Sequence, residues 1–113
     1  MHELGIMETA VQMAVDTARA AGARRVLVLR LRIGTLSGVV PEALHFAFDV
    51  VCRGTPAEGA TLLVETVPAA GWCPDCQAEY AGDDFFSECP RCQKLNGELR
   101  RGRELEISSV EIA

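Results

Sequence analysis

Four cysteines fall in two Cys-x-x-Cys pairs: Cys73 and Cys76 in Cys73-Pro74-Asp75-Cys76, and Cys89 and Cys92 in Cys89-Pro90-Arg91-Cys92. Twelve residues separate the pairs. Each pair forms a tight turn that aims two sulfurs at one point, and two such turns supply four thiolates for a closed tetrahedral site. That donor set suits Zn²⁺. A redox dithiol needs no twin, and a disulfide framework belongs in a secreted chain. Iron fills the same four sulfurs, and spacing does not separate the two metals. A closed four-sulfur site leaves no position for substrate, so it is structural. The surrounding module, residues 71–99, has few large apolar residues: Trp72, Tyr80, Phe85, Phe86, Leu95 and Leu99. Such a segment lacks a self-sufficient core. Metal binding contributes about 10–16 kcal/mol in zinc-finger peptides, enough to decide whether it folds.

The second candidate is the opening tripeptide Met1-His2-Glu3. A free α-amine, the His2 amide nitrogen and the His2 imidazole Nδ1 close a five-membered and a six-membered chelate ring on one ion. Three nitrogens in a plane suit Ni²⁺ or Cu²⁺ rather than Zn²⁺. The fourth position is open to the Glu3 carboxylate, to backbone, or to a donor elsewhere. A histidine at position 2 is by itself a weak signal.

The remaining candidates read as structural. His45 lies inside a helical pattern and reads as a helix histidine, or as a fourth nickel ligand if folding brings it to the N-terminus, and the odd cysteine, Cys52, lies at that helix's end. Arg100, Arg101 and Arg103 form a charged run that is solvated or meets an acidic partner. No Ser/His/Asp or Cys/His set is present. No glycine-rich phosphate loop is present either, so nucleotide hydrolysis would belong to a partner. The chain is not expected to be an enzyme.

Composition narrows the class. The 113 residues are 49% apolar with a net charge of −5, and the bases are ten arginines and one lysine. Residues 70–100 carry six acids against three bases. That balance argues against nucleic acid as a partner. No run of 18 apolar residues marks a membrane span. No signal peptide is evident, so the cytoplasm, where thiols stay reduced, is expected.

The elements that must position these residues follow from periodicity. Leu4, Met7, Val11, Ala14, Val15, Ala18 and Ala21 recur at helical spacing, with Gly22 as a C-terminal cap. Val26–Ile33 reads as a strand with Arg30 and Arg32 on a solvated face. Pro41 opens a second helix whose stripe is Leu44, Ala47, Phe48 and Val51, with Phe46 and Val50 beside it. Residues 61–67 form a second strand. A third runs from Arg103 to Ile112, with Leu105 and Ile107 facing in and a bulge at Ser108-Ser109 that restores the phase for Val110 and Ile112. The fold class is α+β: a three-stranded sheet with two helices on one face, plus an inserted zinc-knuckle, zinc-ribbon-like module. The core is 1–69 completed by strand 101–113, and the module is 70–100.

The opening Met1-His2-Glu3-Leu4, the first helix, and Cys73-x-x-Cys76 with Cys89-x-x-Cys92 near the end make the whole chain similar to one family. It resembles the hydrogenase and urease nickel-incorporation proteins, the HypA/HybF nickel metallochaperones. The resemblance implies nickel held by the Met1 amine and His2, with Glu3 as an accessory, and structural zinc on the four cysteines. It implies delivery, with a partner GTPase, to the large subunit of [NiFe]-hydrogenase and in some organisms to urease. Some members have histidines flanking the knuckles, and this chain has none there. Gln77 and Gln93 follow the knuckles where rubredoxin-like iron sites often have glycine. Two other readings stand beside this one: a zinc-ribbon module for protein or nucleic-acid interaction, and a rubredoxin-like electron carrier.

Overall fold

The computed structural model describes residues 3–81, 88–95 and 97–113. Its elements in chain order are α1 (Glu3–Ala20), β1 (Val26–Gly34), α2 (Pro41–Cys52), β2 (Thr61–Val67), β3 (Ala70–Cys73), β4 (Ala78–Ala81), β5 (Glu98–Arg101) and β6 (Leu105–Ile112). They form two three-stranded sheets, ordered β2-β1-β6 and β4-β3-β5. The molecule is elongated, 54 × 25 × 16 Å. Among the described residues no helix is long and apolar enough to cross a membrane.

The apolar stripe of α1 buries Met7, Ala10, Val11, Ala14, Val15 and Ala18. Its alanines leave room for α2 to pack alongside. The helix ends in a Schellman motif: Gly22 has φ 73°, Ala23 N donates to Ala18 O at 2.8 Å, and Gly22 N donates to Arg19 O at 3.0 Å. From α2 come Leu44, Ala47, Phe48 and Cys52. Both helices cover the face of the first sheet that carries Leu29, Leu31, Ile33 and Leu62, and these residues share one core.

In that sheet β1 is central, parallel to β2 and antiparallel to β6. The expected bulge is present. Arg30 pairs with Ser109 and Leu31 with Ile107, leaving Ser108 as the extra residue. Its hydroxyl donates to Arg30 O at 3.2 Å. The outer face carries a ladder of exposed ion pairs, with Arg32 between Glu65 at 3.3 Å and Glu106 at 2.7 Å, and Arg30 on Glu111 at 3.1 Å.

Three expectations change. Leu105 stands opposite Ile33 on the inner face, as expected, but at the first position of β6 it is left 47% exposed. Phe46, at 74% exposed, and Val50 point away from the α2 stripe. The module is more than two knuckles: β3 pairs antiparallel with both β4 and β5 in a sheet of its own. Phe85 and Phe86 lie outside the described residues.

Two short links join the sheets, and the end of β1 holds both. Gly34 N donates to Glu104 O at 2.8 Å, Leu36 N to Gly102 O at 2.7 Å, and Thr35 N to Val67 O at 3.0 Å. Ala69 N donates to Thr35 Oγ1 at 3.1 Å. The backbones run so close here that a Cβ on Gly34 would collide with the Gly102 carbonyl. Gly102 itself has φ 123°, open to glycine and hostile to other residues.

Candidate metal centre

Each knuckle grows from its own local turn. β3 delivers Cys73 at its last position, and the chain turns through Pro74 and Asp75 to Cys76 before β4 begins. The Cys76 amide donates to Cys73 Sγ at 3.4 Å. In the second knuckle Gln93 N donates to Cys89 O at 2.8 Å, and Cys89 N donates to Lys94 O at 3.0 Å. Both turns close through a residue in the left-handed region, Gln77 at φ 50° and Gln93 at φ 59°. A non-glycine residue there costs about 1–2 kcal/mol. Lys94 Nζ reaches Asp75 at 2.8 Å and ties the second knuckle to the first.

The turns converge. The four Sγ atoms lie within 4.8 Å of one another, with Cys73 to Cys92 at 3.6 Å and Cys76 to Cys89 at 3.8 Å. Four sulfurs about 2.3 Å from a tetrahedral zinc stand about 3.8 Å apart. The cluster therefore fits a closed zinc site. Among the described residues it is the one group of three or more potential ligands. Without a metal the neighbouring thiols pull one another in opposite directions. Amide donors from Cys92 and then Arg91 bring Cys89 down to about 7. Burial, then hydrogen bonds with the other thiols, push Cys76 up to about 12. Four sulfurs in one spot cannot all shed their protons unless a metal takes up the charge.

The module sheet braces this site. Arg101 grips both carboxylate oxygens of Glu79, at 2.8 and 2.9 Å, joining β5 to β4 across β3. The Arg100 guanidinium lies 4.8 Å from the centre of the Trp72 ring. Two of the three C-terminal arginines are therefore used inside the module. Sequence reasoning missed the Glu79–Arg101 clamp, since 22 positions separate its partners.

Met1 and His2 lie outside the described residues. Glu3 begins α1, and its Oε2 accepts from Val40 N at 3.4 Å. His45 is exposed on α2 and joins no cluster of potential ligands among the described residues. Cys52 is buried in the core at 3% exposure, and burial, then nearby Asp49, push its thiol up to about 11. It is a packing residue.

Comparison with known proteins decides the family. The family model described as hydrogenase/urease nickel incorporation, metallochaperone, hypA matches residues 1–112. The chain belongs to this family. The hydrogenase maturation factor HypA of Picosynechococcus sp. is 44% identical over 112 residues, covering 99% of both chains. That of Chloroflexus aurantiacus is 45% identical over 112 residues, covering 98% of both. The solution structure of the Ni metallochaperone HypA from Helicobacter pylori superposes with a TM-score of 0.67 at 18% identity, covering 99% of this chain and 97% of that one. A second HypA solution structure gives 0.75 at 19% identity, covering 100% and 97%. At those identities the superpositions speak to fold alone. HypA proteins are nickel metallochaperones of hydrogenase maturation, not enzymes. The family binds nickel, and the four-cysteine cluster of this chain fits a zinc site.

Proposed function

We propose that this chain binds one Ni²⁺ at its N-terminus and hands it on during maturation of [NiFe]-hydrogenase, while Cys73, Cys76, Cys89 and Cys92 hold a structural Zn²⁺. The observation that carries this reading is the family match over residues 1–112, in a chain that opens Met1-His2-Glu3. The Met1 amine, the His2 amide nitrogen and the His2 imidazole are the nickel donors, with Glu3 as an accessory. A partner GTPase takes part in loading, and the hydrogenase large subunit is the acceptor, with urease as the alternative. The chain works in the cytoplasm, where its thiols stay reduced. Residues 1–69 with 101–113 act as the nickel-binding core, and residues 70–100 as the zinc module.

Chemically, the transfer is ligand exchange. Each nickel donor must lose a proton to bind, so protonation weakens the hold and a competing set of ligands completes release. The closed four-sulfur site takes no part in the exchange, because it has no open position.

A nickel titration of protein with a free N-terminus, followed by absorption spectroscopy, tests this. One equivalent is expected to bind, and His2→Ala is expected to remove most of the binding. Unaltered binding by His2→Ala would sink the proposal.

A further inference from the structure

The first sheet ends on an open edge. In the order β2-β1-β6, β1 flanks β6 on one side, and among the described residues no strand lies beyond it. The Glu104 carbonyl points at β1, where it accepts from Gly34 N at 2.8 Å. Leu105, Glu106 and Ile107 then face Ile33, Arg32 and Leu31 in regular register. Backbone groups alternate sides along an antiparallel strand, so the amide and carbonyl of Leu105 and of Ile107 point away from β1, to the open side. The bulge comes only after them, at Ser108.

The side chains of the same two residues lie on the inner face. There Leu105, Ile107 and Ile33 from the sheet, with Ile6, Thr9 and Met13 from α1, line an apolar groove of about 700 Å³. Leu105 is 47% and Met13 55% exposed. The helices thus cover the inner face without closing it along β6. On the outer face the ion-pair ladder sets Glu65, Glu106 and Glu111 against Arg30 and Arg32, which leaves it acidic. An edge with free hydrogen-bonding groups is a template for a further strand. The β6 of a second copy, laid antiparallel, would bring these glutamates against their own kind, which is unfavourable. We infer that this edge takes an extended segment of a partner protein in which apolar residues alternate with lysine or arginine. The segment pairs with Leu105 and Ile107, drops its apolar side chains into the groove against α1, and sets its bases beside Glu106. This is strand addition, in which main-chain bonds give affinity and the groove gives specificity. It rests on residues of the core and on neither metal.

The test titrates the full chain with a short capped peptide alternating valine and lysine, followed by NMR. Amide shifts are expected to move at Leu105 and Ile107 and around Met13. A peptide with glutamate in place of lysine is expected to bind about tenfold more weakly, since like charges then stand opposite each other. Methylating the peptide amides that face β6 is expected to abolish binding. Met13→Ser, at an exposed position, is expected to weaken binding about fivefold by removing apolar surface from the groove, with the melting temperature unchanged. Leu105→Pro, which deletes an open-edge amide at the first residue of β6, is expected to weaken it as well. No binding of the lysine peptide, equal affinity for the two peptides, or unchanged affinity in Met13→Ser would overturn the inference. So would a concentration-dependent dimer of the unaltered chain that Leu105→Pro disperses, because the edge would then belong to a second copy.

Discussion

Cys73 and Cys89 are fully buried, while Cys76 and Cys92 are only partly so, and each knuckle thus contributes one inner and one outer sulfur. A metal on these sulfurs replaces protons that the thiols otherwise share, and the site's stability is bound up with the ion. Protein purified under reducing conditions is expected to carry about one zinc per chain by elemental analysis. A red ferric chromophore in its place would support the iron reading. Cys73→Ser or Cys92→Ser is expected to release the metal and unfold residues 71–99, with the helical signal of α1 and α2 retained in circular dichroism. Loss of the whole fold in one step would show that module and core are not separable. The two glutamines allow a finer test. Gln77 and Gln93 occupy left-handed positions where glycine is unstrained. Gln93→Gly is expected to leave stability unchanged or raise it by up to about 1 kcal/mol, and Gln93→Val to lower it by about 1–2 kcal/mol, in thermal melts. The cysteine site was legible because a Cys-x-x-Cys turn encodes its own geometry within five residues. The strain at Gln77 and Gln93 was not, since a residue's φ cannot be read from its type.

The core elements were legible because their apolar residues repeat. The stripe Met7, Val11, Ala14, Val15, Ala18 gave α1, and the phase change between Ile107 and Val110 gave the bulge in β6. Strands β3, β4 and β5 escaped because each has four residues, too few to show alternation, and because their pairing is fixed by the knuckles and by Glu79–Arg101. The junction escaped for a related reason: contact between Gly34 and Gly102 joins positions 68 apart in the chain. It yields a sharp expectation. Gly102→Ala, which combines a φ of 123° with a Cβ 2.8 Å from Ala69, is expected to cost about 2–3 kcal/mol in denaturant unfolding. A neutral result would mean that the two sheets are not held through this contact. Helix α1 carries a second expectation. Its outer face presents Glu8, Gln12 and Asp16, with Gln12 Nε2 on Asp16 Oδ1 at 2.8 Å. If this face meets the partner GTPase, charge reversal at Glu8 and Asp16 together should weaken a pull-down at least about tenfold by losing two complementary charges. Undiminished binding would leave it an ordinary solvated face.

At the scale of the whole molecule, two metals are expected at two kinds of site: zinc enclosed by side-chain sulfurs, and nickel, under the reading proposed above, on the nitrogens of Met1 and His2. Acid should act on each differently. Glu79 is held below the usual carboxylate range by its hydrogen bonds to Arg101, and Glu104 by backbone amides, its own and that of Gly102. Folded, both groups bind fewer protons than unfolded, so their support for the module and its junction is complete above pH ~4.3 and is lost as pH falls through their lowered values. The nickel donors give way earlier. An imidazole titrates near ~6.5 and an α-amine near ~7.7–8.0, and both must be deprotonated to bind. Nickel affinity is therefore expected to drop steeply towards about pH 6, well before the fold is affected. This part of the reading depends on a chemical group that is present in any sequence and becomes a ligand only when it is free, which is why composition and periodicity carry no trace of it. The most direct measurement is a nickel titration of two proteins that differ only in a short N-terminal extension, which turns the Met1 amine into an amide. The extended protein is expected to lose nickel binding as completely as His2→Ala does. Equal nickel affinity in the two proteins would contradict the amine as a ligand, and with it the proposed site.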